Sequence, residues 1–349
     1  MKKKSLTTEE TFTLAVQNHQ KNNFQVAENL YKEIIKTNPN HVNAYNNLGI
    51  ILLQSGNLQK AKNCYEKAIK INPGYIDAHN NLGLVFNQLG ELQKAKSCYE
   101  KAIKINPNNV NVYNNFGNAL KDLGEYQKAV SCFEKAIKIN PNHAGVCNNL
   151  GGVFNQLGEL KKAKNCYEKA IQIQPNFADS YWNLHAFASD IDEALTVLKK
   201  LYEIDNKFIK AKIMISALRA FKGNFNEFDT LNIPPESIHP LTRSIKWIFS
   251  LPKLPKIFFN RWNFFDAVVA LAEKSRPFYE FGVWKGISFR YLIKSLKKGF
   301  GFDTFTGLPE SWHNLPKGAY SSFGSVPKIL GGEFIVGNFE DTLPKFFSK

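Results

Sequence analysis

Proline recurs at Pro39, Pro73, Pro107, Pro141 and Pro175, and glycine recurs at Gly49, Gly83, Gly117 and Gly151 and again at Gly56, Gly90, Gly124 and Gly158, each series stepping by 34 residues. A fixed period of that length marks an array in which each unit is one supersecondary element that buries its apolar face only against its neighbours. Within a unit, Tyr45, Leu48 and Leu52 follow helical spacing, Gly56 breaks the helix, and Ala61, Tyr65 and Ala68 mark a second helix. Two antiparallel helices per unit follow. Small residues at Gly49, Ala61 and Ala68 let the helices of a pair approach closely, and the proline blocks continuation into the next unit.

The formal charge of +15 over 349 residues invites a nucleic-acid reading. The lysines, however, fall at repeated helical places such as Lys67, Lys101, Lys135 and Lys169. Glu66 with Lys70, Glu100 with Lys104 and Glu134 with Lys138 have the spacing of solvated helix faces. Nucleic acid is therefore disfavoured as a partner. Cys64, Cys98, Cys132 and Cys166 share one repeat position, so neighbouring copies stand a repeat apart and no disulfide framework is expected. With Cys147 they read as small packing residues in a reducing compartment. The start, MKKKSLTTEETF, lacks an apolar core of the secretory type, and no run of 18 apolar residues occurs. A cytoplasmic protein without a membrane span is expected.

The unit resembles the tetratricopeptide repeat, with five copies to residue 177. The first, Thr8 to His41, carries Ala15 and Asn22 where the later copies have glycine, yet keeps Leu14, Ala27 and Tyr31 in register, as an N-terminal cap would. A shortened sixth unit begins at Ser180, and residues 208–228 look like a further degenerate pair. The resemblance implies an α-solenoid, a superhelix over residues 8–228, whose concave surface is lined by the first helix of each pair. That helix bears a doubled asparagine: Asn46 and Asn47, Asn80 and Asn81, Asn114 and Asn115, Asn148 and Asn149, then Trp182 and Asn183. An amide both donates and accepts, so a row of them can bond the backbone of an extended peptide whatever its side chains. Asn47, Asn81, Asn115, Asn149 and Asn183 resemble the asparagine ladder in the repeats of O-linked N-acetylglucosamine transferases, which implies a protein or peptide partner. The same amides can instead bond within the repeat interface.

Pro234, Pro235, Pro240, Pro252 and Pro255 mark residues 229–257 as a jointed linker. Beyond it, IFFNRWNFFDAVVALAEKS reads as an aromatic-rich helix with Trp262, Phe264 and Phe265 in a core. Strand and helix then alternate through RPFYEFGV, SFRYLIKSL, KGFGFDTF, GEFIVGNF and EDTLPKFF, the pattern of a parallel, doubly wound α/β sheet whose ligands bind at the carboxyl ends of the strands. At the first such end, EFGVWKG places Trp284 where a dinucleotide fingerprint needs its second glycine, so a pyrophosphate fits poorly. A nucleoside with an amino-acid tail needs one close approach, at Gly282, and a small residue at the turn, Gly286. Asp303 ends the second strand, where a carboxylate can accept from both ribose hydroxyls.

EFGVWKG, GFGFDTFTGLPESW and VGNFEDTLPKF resemble the successive strand ends of class I S-adenosylmethionine-dependent methyltransferases, the macrocin O-methyltransferase-like group above all. The likeness implies S-adenosylmethionine as cofactor, with Glu280 and Gly282 at its methionine end, Asp303 at the ribose, Asn338 at the adenine and Phe305 against the ring. Glu280 pairing with Arg290, and Asp303 capping a turn, are the structural alternatives. The family's sheet has seven strands and this chain stops after the third, so residues 258–349 would be the N-terminal half of such a domain. A fragment of a longer protein is the expectation. No catalytic residue is assigned, His313 being a lone histidine in a long loop, and no metal site is read. Two functions remain: a repeat-bearing methyltransferase, acting on oxygen once its domain is complete, or a non-catalytic repeat scaffold.

Overall fold

The computed structural model describes residues 6–225, 228, 245, 246, 248–251, 256–281, 287–303, 326–337 and 339–348. These fall into two compact units, Met1–Asn149 and Leu150–Lys349, with the division inside the repeat array rather than at the proline-rich stretch.

The first unit is helical throughout: α1 (Thr8–Gln20), α2 (Phe24–Thr37), α3 (Val42–Gln54), α4 (Leu58–Ile71), α5 (Ile76–Gln88), α6 (Leu92–Ile105), α7 (Val110–Leu123), α8 (Tyr126–Ile139) and the start of α9 (Ala144–Leu157). The array opens on a capping box, in which the Thr7 hydroxyl accepts from the Glu10 N–H and the Glu10 carboxylate accepts from the Thr7 N–H. Between the helices of each pair the backbone turns through a left-handed residue, Gly56 at φ 75°, Gly90 at 74° and Gly124 at 79°. Asn22 holds the same turn in the first pair at φ 61°, a conformation its short polar side chain tolerates.

Each pair is closed by a ring pressed on a glycine. A Cβ added at Gly49 would stand 2.6 Å from the Tyr65 ring, at Gly83 2.6 Å from Tyr99, and at Gly117 2.7 Å from Phe133. Ala61, Tyr65 and Ala68, with Ala95, Tyr99 and Ala102, are wholly buried, so the second helix of each pair presents one narrow apolar stripe to the first. The Tyr65 and Tyr99 hydroxyls are buried among the described residues without a hydrogen-bond partner, whereas Tyr31 accepts from Asn47 Nδ2 at 3.3 Å. Repeat four has Phe133 at this place and has no hydroxyl to satisfy.

Burial pushes the Cys64, Cys98 and Cys132 thiols up to about 11, so they stay protonated and act as packing groups. Cys98, Cys132 and Cys147 are buried, but Cys64 and Cys166 are only half-buried. The ion pairs use other partners than the expected ones. Glu66 lies 3.9 Å from Lys62, and Glu125 receives Lys128 at 2.6 Å and Lys96 from the preceding pair at 3.0 Å.

The second unit continues the array with the end of α9, α10 (Leu160–Ile173), α11 (Ala178–Leu184) closing in a 3-10 turn His185–Phe187, α12 (Ile191–Ile204) and α13 (Ile209–Phe221). Gly151 repeats the contact with its ring, Tyr167. The array degrades where α11 is halved: Trp182, in the place of an asparagine, packs on His185 and Phe208 and joins the core of Leu195, Leu198 and Leu201. Ile245 and Phe249, inside the stretch read as a linker, pack on Ile213, Ala217, Ala220 and Phe228.

Helix α14 (Arg261–Leu271) precedes a three-stranded sheet of β1 (Phe278–Phe281), β2 (Gly299–Asp303) and β3 (Gly332–Val336), with α15 (Ile287–Leu296) between the first two strands and α16 (Phe339–Phe347) after the third. Strand order is β1-β2-β3 and both pairings are parallel, with Glu280 opposite Gly301 and Gly301 opposite Phe334. Phe278 and Phe334 meet Phe289 of α15 on one face, and Phe300 and Phe302 meet Phe346 of α16 on the other. Trp262 is buried as expected. Phe264 is 46% exposed, because α14 turns that side outward.

Tyr65→Phe and Tyr99→Phe should leave the denaturation midpoint unchanged or raised, since each removes an unsatisfied hydroxyl. Tyr31→Phe should cost about 1 kcal/mol by loss of its bond to Asn47. Urea unfolding of the three variants checks this.

Candidate functional site

The doubled asparagines are bonded from repeat to repeat. Asn81 Nδ2 donates to Asn46 Oδ1 at 3.0 Å, Asn115 Nδ2 to Asn80 Oδ1 at 3.0 Å, and Asn149 Nδ2 to Asn114 Oδ1 at 2.9 Å. The second amide of each repeat thus holds the first amide of the repeat before it. Within a repeat the first amide turns back on the second, Asn46 Nδ2 to Asn47 Oδ1 at 3.3 Å and Asn80 Nδ2 to Asn81 Oδ1 at 3.4 Å. Asn47, which has an ordinary repeat before it only in the form of the cap, donates to Tyr31 instead.

The spacing explains this pattern: the doublet recurs at one place on successive first helices, so the second carboxamide of one helix faces the first carboxamide of the helix before it. Sequence reasoning singled out Asn47, Asn81, Asn115 and Asn149. Their partners Asn46, Asn80 and Asn114 are equal members, and the doublet itself was their signal. Asn46 is 4% exposed, while Asn47, Asn80, Asn81, Asn114, Asn115 and Asn149 are half-buried. Asn183 lies half-buried on the shortened α11 of the second unit.

The other candidate lies at the strand ends of the second unit. Glu280 is the third residue of β1 and Asp303 the last of β2. Alternation puts both side chains on the face of the sheet that α15 covers, since Glu280 pairs with Gly301 two residues before Asp303. Glu280 Oε1 accepts from the Ser288 hydroxyl in the first turn of α15, and Glu280 Oε2 is buried among the described residues with no partner. Burial raises the Glu280 carboxyl above its ordinary value, and the Ser288 bond opposes this only in part. The Asp303 carbonyl accepts from Gly337 N–H at 3.1 Å, tying the end of β2 to the end of β3. Gly282, Gly286, Phe305, Asn338 and His313 lie outside the described residues.

A stack of helix pairs closed by ring-on-glycine contacts and cross-linked by side-chain amides defines a helical-repeat protein. Tetratricopeptide repeat models match residues 42–75, 76–109 and 110–143, and a second repeat model of that type matches 151–190. The array is one of tetratricopeptide repeats. No curated protein matches the chain. Among solved structures, the chain is similar to MamA, at 24% identity over 47% of this chain and 96% of that one with a TM-score of 0.43. It is also similar to PilF of Pseudomonas aeruginosa, at 25% identity over 53% and 86% with a TM-score of 0.49. The Cut9–Hcn1 hetero-tetramer of the APC/C matches at 16% identity over 60% of this chain and 42% of that one. Its TM-score of 0.54 supports the helical-repeat fold alone.

Asn115→Ala should lower stability by about 1 kcal/mol by leaving Asn80 Oδ1 short of its donor, whereas Asn111→Ala, exposed one turn earlier on the same helix, should be neutral. Calorimetric unfolding of the two variants separates these outcomes. Glu280, whose folded carboxyl titrates above the unfolded one, should stabilise the second unit fully below the ordinary carboxylate range. That stability should be lost as pH rises through the raised value. Glu280→Gln should remove this pH dependence, read as the midpoint of unfolding between pH 4 and 8.

Proposed function

We propose that the chain is a protein-binding scaffold whose first unit holds an extended stretch of polypeptide against the amide-bearing first helices of its repeats. The observation that carries this is the spare valence of the ladder. Asn80 and Asn81 each make one donated and one accepted bond within the interface, leaving one N–H and one lone pair apiece on half-buried side chains. One free donor beside one free acceptor is what a peptide backbone offers in return. The groups are uncharged, so the affinity they give should not depend on salt. Asn43, Asp77 and Asn111, one residue into the same helices, extend this polar surface with exposed side chains.

A second reading, S-adenosylmethionine binding by the C-terminal sheet, draws support from Glu280. A buried carboxylate oxygen without a partner, at the ligand-side end of a parallel strand and on the same face as Asp303, suits a cofactor with a cationic amino group. Bound there, the cofactor would supply a transferable methyl group. Titration calorimetry with S-adenosylmethionine tests this: heat that disappears in Asp303→Ala supports it, and the same heat in that variant removes Asp303 from the site.

The scaffold reading is tested with an array of unstructured decapeptides probed at two ionic strengths. Asn81→Ala/Asn115→Ala/Asn149→Ala should weaken the retained peptides by about tenfold or more while keeping the helical circular dichroism, and salt should change little. Retained binding in that variant, or binding lost only together with helicity, contradicts it.

A further inference from the structure

Residues 85–92 and 153–160 are the same octapeptide, Val-Phe-Asn-Gln-Leu-Gly-Glu-Leu, closing the first helix of repeats three and five. The local geometry is also the same. Gly90 and Gly158 turn at φ 74° and 76°, and their N–H groups donate to Asn87 O at 3.1 Å and Asn155 O at 3.2 Å. Lys94 stands over Phe86 at 5.6 Å and Lys162 over Phe154 at 5.2 Å. What differs is cover.

In the second unit the start of α14 occupies this turn. Asn260 Nδ2 donates to Asn155 Oδ1 at 3.2 Å, Arg261 donates to Gln156 Oε1 at 2.6 Å, and the Trp262 indole N–H donates to Asn155 O at 2.6 Å. The Asn155 carbonyl so uses both lone pairs. Trp262 and Tyr291 also close over Gly158, 3.6 to 3.7 Å from where its Cβ would stand. Asn260 itself caps α14 through the Trp262 N–H at 2.9 Å, so one short segment presents amide, guanidinium and indole in fixed order from a helix start.

In repeat three no described residue stands where Asn260 and Trp262 stand in repeat five, and Asn87 O accepts only from the local Leu89 and Gly90 N–H groups. Asn87 Oδ1 is buried among the described residues without a hydrogen bond, Gln88 is exposed, Leu89 is 38% exposed, and space is open around Gly90. The amide orientation is fixed, because Asn87 Nδ2 faces the Asp122 carboxylate at 3.5 Å, which can only accept. An unpaired shielded oxygen is unfavourable, and a donor placed as Asn260 is placed relieves it once the exposed turn shifts to bring the carboxamide out to it. The Asp122 carboxylate beside the turn adds a charge that favours a guanidinium in the position Arg261 takes in repeat five.

We infer that the Asn87–Gly90 turn of repeat three is a docking site for a partner polypeptide's helix start of the Asn-Arg-Trp type. This rests on the reading of the array as protein-binding and adds to it a site and the chemistry of its occupant. The site uses the end of the first helix, not the amide doublets.

The probe is a fluorescent peptide of residues 256–272 added to the full chain. Saturable binding is expected, weakened about tenfold by Gln88→Arg, which sets like charges against each other at an exposed position, and unchanged by Gln25→Arg, an exposed position in the first repeat away from both turns. A peptide carrying Arg261→Glu should bind the wild type poorly and regain affinity on Gln88→Arg, a rescue that misfolding cannot produce. No saturable binding, or equal binding by wild type and Gln88→Arg, overturns the inference. So does self-association of the unliganded chain that Gln88→Arg abolishes, which would assign the turn to a second copy. Loss in Asn81→Ala/Asn115→Ala/Asn149→Ala with the Gln88 dependence intact would instead place the peptide across both surfaces. Retention in that variant leaves this site standing whatever becomes of the amide reading.

Discussion

An aromatic ring laid on a glycine sets the geometry of this protein. With no Cβ at Gly49, Gly83, Gly117 and Gly151, the two helices of a pair close until Tyr65, Tyr99, Phe133 and Tyr167 rest on bare backbone. That distance fixes how far each first helix stands from the next, and so whether one carboxamide reaches another across the interface at 2.9 to 3.0 Å. The ladder therefore depends on the packing beneath it. Its bonds are directional where the apolar contacts are not, and they favour one register of repeat on repeat.

Much of this was legible in the sequence, for particular reasons. The glycines at Gly56, Gly90, Gly124 and Gly158 mark left-handed turns because other residues are strained there, and Asn22 keeps the turn in the first pair for the same reason. The three strands and their carboxyl-end acids follow from alternation and spacing, and Asp303 does close β2. The direction of the amide ladder was not legible. Which asparagine donates depends on the rotation between repeats, and no composition rule carries that angle. Phe264 and Phe265 read alike in the sequence. Only packing shows that α14 turns the first outward, while Phe265 joins Trp262 and Tyr291.

The contact of Trp262 with Asn155 joins residues 107 positions apart, outside any periodicity. Its meaning comes from comparing two copies of one octapeptide, since duplicated sequence in different surroundings separates what the turn is from what covers it. Repeat five shows which donors its acceptors take, and repeat three shows the equivalent carboxamide oxygen, Asn87 Oδ1, without one among the described residues. Degeneration of the array toward its C-terminal side follows a similar logic. Once Trp182 replaces an amide, the ring is taken into a local core with Phe208, and the next helix pair packs by apolar contact.

The most direct measurement is hydroxyl-radical footprinting of the intact chain, read residue by residue by mass spectrometry. Slow oxidation of Trp262, despite the intrinsic reactivity of indole, together with fast labelling of Leu89, is the expected result, because the turn of repeat five is filled and that of repeat three is open. Trp262 oxidising at the rate of an exposed indole, or Leu89 protected in the isolated protein, would contradict the account.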